Sequence, residues 1–180
     1  FNSYGGLLTA SDPPEIRYSF IHGNWALDNS AGDPSLCGVN DEISILARTG
    51  CYADLTMPSL GPSQSRKVNN IYYVKDDPEK PKSYDKGVEV SVGGNEYGDL
   101  MMITGPIGFN WSDWHHGFYP SIENSDIAED RPPTPERIRS WVNTGIHVKG
   151  KPNWIFIKVH THGTIEKDYD AVLGKQAEEM

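Results

Sequence analysis

The stretch GVNDEISILARTGCYADLTMPS, Gly38–Ser59, decides how the rest of the chain is read. Asn40 is placed to cap a helix whose first turn carries Asp41 and Glu42, and acidic side chains there complement the positive end of the helix dipole. Ile43, Leu46 and Ala47 fall on one face of that helix, and Gly50 stops it. CYADLT then reads as a strand with no intervening loop. Upstream, IRYSFIHG, residues 16–23, is a second strand running into a glycine turn. Strand, helix and strand in that order are the grammar of a parallel sheet covered by helices, so the expected fold class is α/β. About ten helical residues hold Cys37 and Cys51 roughly 15 Å apart, too far for a disulfide. Two free thiols fit a reducing compartment and lean the localisation toward the cytoplasm.

Working outward, IYYV (71–74) is a further strand, and VEVSV (88–92) and LMMITG (100–105) read as a β-hairpin joined through GGNEYGD. Residues 106–133 form a long, irregular segment dense in aromatic residues. Loops of that length tend to be functional or disordered, and this aromatic content favours order. Thr134 as N-cap, Pro135 at the first helical position and Glu136 in the first turn predict a helix over PERIRSWVNTG that buries Ile138, Trp141 and Val142. WIFIKVH (154–160) returns as a strand. A last helix is expected in TIEKDYDAVLGKQAEEM, with Tyr169, Val172, Leu173 and Ala177 on one stripe.

At 180 residues the chain is expected to be a single domain. Five Trp, nine Tyr and five Phe supply a core that a disordered chain would lack. The formal net charge of -9, with no basic stripe, argues against nucleic acid and against membrane-surface binding. No apolar run approaches the roughly 18 residues a bilayer span needs. Oligomeric state is left open.

The chemistry-bearing residues cluster at strand ends. If WIFIKVH is a strand, Ile155, Ile157 and Val159 share one face, while Phe156, Lys158, His160 and His162 share the other. Two imidazoles at the carboxyl end of a strand lie where parallel α/β sheets and barrels gather active sites, so His160 and His162 are the candidate catalytic residues. His22, Asn24 and Trp25 offer a ring nitrogen, an amide and an aromatic platform at the end of the first strand, a mixture suited to sugar. Asp54 closes the next strand at the same rim. Trp111 and Trp114 are candidate stacking platforms in the aromatic segment. His160, His162 and Glu166 match the His-x-His-x3-Glu spacing of a cupin metal motif, but Trp154 stands where that motif has glycine and the following residues read as helix. There is no nucleophile elbow, His-Glu-x-x-His helix, Cys-x-x-Cys pair or phosphate-cradling glycine loop.

Taken together, FIHGNWALDNS, GVNDEISILARTGCYADLTMPS and WIFIKVHTHG resemble the NodB-like polysaccharide deacetylases, over residues 17–174. The resemblance implies part of a distorted (β/α) barrel, with an inserted β-hairpin, and a hydrolase that removes acetyl groups from N-acetylated sugars. It implies a divalent metal such as zinc, a carboxylate base, and a late-strand histidine as general acid, falling on His160 or His162. The early Asp-Asp and His-x3-His motifs have no counterpart, so the metal ligands are not identifiable and the chain is expected to be the carboxyl-terminal part of a larger domain. Two other expectations stand beside this one. The first is a non-catalytic carbohydrate-binding module that uses the aromatic residues 109–119, and the second is a metal site on His160, His162 and one carboxylate.

Overall fold

The computed structural model describes residues 7–57, 61–162 and 165–180. Gly163, which ends the His-Thr-His-Gly stretch, and Thr164 lie outside the described residues. The central feature is a five-stranded sheet in the order β1 (Tyr18–Phe20), β2 (Cys51–Asp54), β5 (Leu100–Ile103), β3 (Ile71–Val74) and β4 (Val88–Glu89). β1, β2 and β5 run parallel, while β3 is antiparallel to both of its neighbours. Helix α1 (Glu42–Arg48) connects β1 to β2, as the strand-helix-strand pattern predicts. It buries Ile43 and Leu46 against Leu27, Tyr72, Val74, Leu100 and Met102, which form the main core. Cys37 and Cys51 are both buried free thiols. Asp41 rather than Asn40 takes the N-cap position, because Asn40 Oδ1 is used by Asn29 Nδ2 at 2.8 Å. The amide of Ser44 is met instead by Asp76 Oδ2 at 2.8 Å.

The expected hairpin over 88–105 does not form. β4 and β5 lie on opposite sides of β3, each pairing with it. A hairpin forms instead in the aromatic segment, between β6 (Gly108–His115) and β7 (Tyr119–Glu123). It packs against α2 (Pro135–Thr144), which is capped by Thr134 as expected. The contact is close at Gly108, where a Cβ would come within 3.2 Å of Thr144 Oγ1. Trp141 is buried with Ile127 and Ala171, and Ile138 packs at their edge, but Val142 faces outward and is exposed.

The segment expected to be the strand WIFIKVH is extended but mostly unpaired, and only His160–Thr161 (β9) forms a ladder, parallel to β8 (Asp126–Ile127). Its parity differs from expectation: Ile155, Ile157 and Val159 are exposed alongside Phe156, and Lys158 is the side chain turned inward. A mostly apolar run reads as a strand covered on both faces, but among the described residues only β8 pairs with this one, and only at its His160 end. No barrel closes among the described residues. The last helix is broken at Gly174 into α3 (Tyr169–Leu173) and α4 (Lys175–Glu178), with Tyr169 and Leu173 exposed and Asp168 and Ala171 buried. No helix among the described residues is long and apolar enough to cross a membrane.

Candidate functional site

Three of the residues singled out from sequence lie in the tight turns that follow β1. Asn24, Trp25, Asp28 and Asn29 all have φ near +55°, at 56°, 54°, 54° and 52°. Asn and Asp tolerate this left-handed conformation, but for a bulky residue such as Trp25 it is an outlier that its surroundings must impose. The anchors are visible on both sides of it. The His22 amide donates to Thr56 Oγ1 at 2.8 Å, tying the turn to the end of β2. The Asp28 amide donates to Glu42 Oε2 at 2.7 Å, and Asp28 Oδ2 accepts from the Ser83 amide at 2.7 Å. Asn24 and Trp25 are left exposed on the outside of the turn.

Inside the turn the chain gathers titratable groups. His22 Nδ1 bonds the Gly23 carbonyl, and its Nε2 lies 3.5 Å from Glu42 Oε1. The Cys37 thiol donates to Glu42 Oε2 at 3.3 Å. Donor atoms of His22, Cys37 and Glu42 all lie within 4.8 Å of one another. Burial pushes the Cys37 thiol up, and the neighbouring Glu42 carboxylate adds to the effect. Asp28, fully buried, is pushed up to about 7 by burial; the Ser83 amide opposes this, and the charges of Asp76 and Glu42 reinforce it.

Asp54 stands at the carboxyl end of β2, as the strand reading places it, but it is fully buried. Its two oxygens accept from Thr56, the amide at 2.9 Å and the hydroxyl at 2.7 Å. Burial pushes it up to about 6, against the pull of those hydrogen bonds and of Lys158. Lys158 Nζ reaches from the late segment to the ends of two parallel strands, donating to Leu55 O at 2.9 Å, Met57 O at 3.1 Å and Ile103 O at 2.9 Å. Burial brings its pKa down to about 8.

The charge on Lys158 is felt by both Asp54 and His160, so the late segment and the first strand-helix-strand unit do converge. His160 is part-buried, with Nε2 3.8 Å from Asp126 Oδ1 and a buried Nδ1 that has no partner among the described residues. Burial lowers its pKa, with the Lys158 charge acting in the same direction and the Asp126 carboxylate opposing it. His162 is exposed. Among the described residues, His160, His162 and Glu166 are not gathered into a cluster of metal donors, and the cupin spacing has no geometric counterpart.

Trp111 and Trp114 lie elsewhere, on the β6–β7 hairpin. Its register passes from Asn110 opposite Ser121 to Trp114 opposite Pro120, so Trp111, Ser112 and Asp113 bulge out of the ladder. Such a bulge re-aims side chains away from the sheet, and Trp111 is 66% exposed as a result. The Ser112 amide donates to Asn110 Oδ1 at 3.0 Å and the Trp114 indole to Trp111 O at 2.8 Å, which fix the bulge from within. The rings of Phe109, Trp111 and Trp114 form a row, with successive centroids 5.9 Å apart. Phe109 and Trp111 wall a cleft of about 390 Å³ whose other wall is α2, with Arg139, Ser140 and Asn143.

Sequence reading passed over Cys37, Glu42 and Asp28 as site residues. Each has an ordinary local explanation, as a helix-flanking thiol, a first-turn acid and a loop aspartate. The only local signal was the density of Asn, Asp and Gly in residues 22–41, which marks a turn-rich stretch without saying what it encloses. Comparison with protein-family models, with curated proteins and with solved structures finds no match for this chain.

The buried carboxylates make stability depend on pH in a definite direction. Asp54 titrates near 3.8 when unfolded and about 6 when folded. The folded state therefore holds this proton more tightly, and the stability it brings is present below pH 4 and lost as pH rises through about 6. At about 1.4 kcal/mol for each pH unit of displacement, ionising Asp54 costs the fold up to about 3 kcal/mol. Urea denaturation of the wild type and Asp54→Asn at pH 4.5 and pH 8 isolates this group from the others that titrate. The variant is expected to gain on the wild type by about 2 kcal/mol between the two pH values, whereas a difference that does not change with pH contradicts the assignment.

Proposed function

We propose that the chain binds N-acetylated carbohydrate across the β6–β7 hairpin and α2, as part of a hydrolase that removes acetyl groups from such sugars. The observation that carries the binding half is the bulge at Trp111–Asp113. It holds a row of aromatic rings at the surface beside a polar cleft, at the cost of leaving large apolar area in water. Exposed aromatic clusters of this kind mark interaction sites. A sugar presents C–H faces to the indoles and hydroxyls to the amide and guanidinium of Asn143 and Arg139. The hydrolytic half rests on the resemblance, and is supported by the parallel β1–β2–β5 arrangement with His22, Asp54 and Lys158 at its carboxyl rim.

Titration calorimetry with N-acetylated chito-oligosaccharides tests the binding surface. Trp111→Ala is expected to weaken binding at least about tenfold, the effect of losing one central aromatic contact. Trp25→Ala is expected to have a smaller effect, because Trp25 stands apart from the ring row. Failure of the wild type to bind, or unchanged affinity in Trp111→Ala, would overturn the proposal. One observation favours the non-catalytic reading of the same surface: Asp54 is fully buried and the imidazole of His160 is largely enclosed, so neither offers an open catalytic face. Release of acetate from the same oligosaccharides with added zinc separates the two readings.

A further inference from the structure

The geometry points to a divalent transition-metal site, of the zinc class, formed by His22, Cys37 and Glu42 inside the turn that follows β1. Three features of the cluster argue for a cation there. First, His22 Nδ1 is engaged by the Gly23 carbonyl, which can only accept, so Nδ1 carries the ring's proton in the neutral tautomer. In that tautomer the lone pair of Nε2 faces Glu42 Oε1 at 3.5 Å, a contact that calls for a proton or a metal ion between the two atoms. A backbone carbonyl that fixes one ring nitrogen is the usual partner of a metal-ligating histidine. Second, the donors come from three separate pieces of chain held by independent contacts: His22 through Thr56, Glu42 through the Asp28 amide, and Cys37 through the Asn29 amide at 3.3 Å. Each donor thus has an anchor besides its contacts within the cluster. Third, Asp28 is fully buried beside Glu42 and its Oδ1 has no hydrogen-bond partner among the described residues, so a second carboxyl group adjoins the site.

An imidazole nitrogen, a thiolate sulfur and a carboxylate oxygen are the donors zinc accepts, and sulfur disfavours magnesium and calcium. On binding, the Cys37 thiol gives its proton to solvent and the thiolate forms the metal–sulfur bond, with no change of oxidation state.

Cobalt(II) is the probe, because its bond to a thiolate absorbs in the near ultraviolet. Titrating the reduced, folded chain is expected to give that absorption at one equivalent and to raise the thermal midpoint. Cys37→Ser is expected to abolish the band and Cys51→Ala to retain it. Glu42→Gln, which keeps the size of the side chain and its ability to accept from the Asp28 amide, is expected to weaken cobalt at least about tenfold. Circular dichroism confirms that each variant is folded, and Glu42→Gln serves if Cys37→Ser is not. No band in the folded wild type, or a band that survives in Cys37→Ser, overturns the site. Trp111→Ala leaves the band intact, so this inference and the carbohydrate reading fail separately.

Discussion

Arg137→Met is expected to cost the fold about 3–5 kcal/mol, the usual effect of removing one partner of a buried ion pair. Glu123 is 6% exposed and receives both a bidentate pair from Arg137, at 2.7 and 2.8 Å, and the Trp141 indole at 2.9 Å. Burial alone would raise its pKa, but the hydrogen bonds from Arg137, Trp141 and the Ser125 amide hold it below the ordinary value. Arg137 in turn bonds the carbonyls of Arg131, Pro132 and Asp126, and stacks its guanidinium over Trp141 at 5.3 Å. Methionine fills much of the volume and leaves Glu123 buried without a cation. Urea denaturation at pH 7 reads the loss, and a cost below about 1 kcal/mol would show that the network is incidental. Adding Glu123→Leu to Arg137→Met is expected to recover part of the loss, because the uncompensated charge is then gone. The network pins β7 to α2, and the proposed sugar cleft lies between α2 and β6. Arg137→Met is therefore expected to weaken sugar binding as well, although Arg137 does not line that cleft.

The parts of the fold that were legible in the sequence are those whose patterns are local. Helix α1 announces itself through Ile43 and Leu46 four residues or fewer apart, and α2 through Thr134 and Pro135, so both form where expected. Partner choice between strands is not local. The run 88–105 has the right alternation for a hairpin, but β3 lies between its two strands and pairs with both. The aromatic segment was legible as ordered and illegible as a hairpin, because three bulged residues break the alternation that a strand reading depends on. For the candidate site, His22, Asn24 and Trp25 were visible as a polar–aromatic mixture. The neighbours that give them chemistry were not, since Cys37 and Glu42 reach His22 only when a turn with four left-handed residues folds back on the helix.

Lys158→Met is expected to destabilise the fold by about 2 kcal/mol or more at pH 7, even though among the described residues the ammonium group forms no hydrogen bond to a carboxylate. Its three donors satisfy Leu55 O, Met57 O and Ile103 O, carbonyls at the ends of the parallel strands β2 and β5. Methionine can replace none of the three bonds; Met57 O keeps the Gly105 amide at 3.0 Å, but Leu55 O and Ile103 O lose the donor that Lys158 gave them, and a buried carbonyl left unpaired costs about 1–3 kcal/mol. The charge also opposes the burial that raises Asp54, so removing it pushes Asp54 further up. The pH at which Asp54→Asn gains on its parent should then be higher in the Lys158→Met background than in the wild type. Loss of packing alone would leave that pH unchanged. Lys158→Arg is not expected to rescue, because a planar guanidinium cannot direct donors to three carbonyls converging on one point. Lys158 also tethers the extended apolar segment that carries His160, whose ring feels its charge from two residues away. Without that tether the segment keeps its link to Ile146 through the Phe156 amide and its short ladder to β8, but loses its hold on the sheet. Hydrogen exchange of the amides of His160 and Thr161 should therefore accelerate in Lys158→Met, while the amides of α1 keep their protection. Equal acceleration in both places would mean that the whole fold, rather than this contact, has given way.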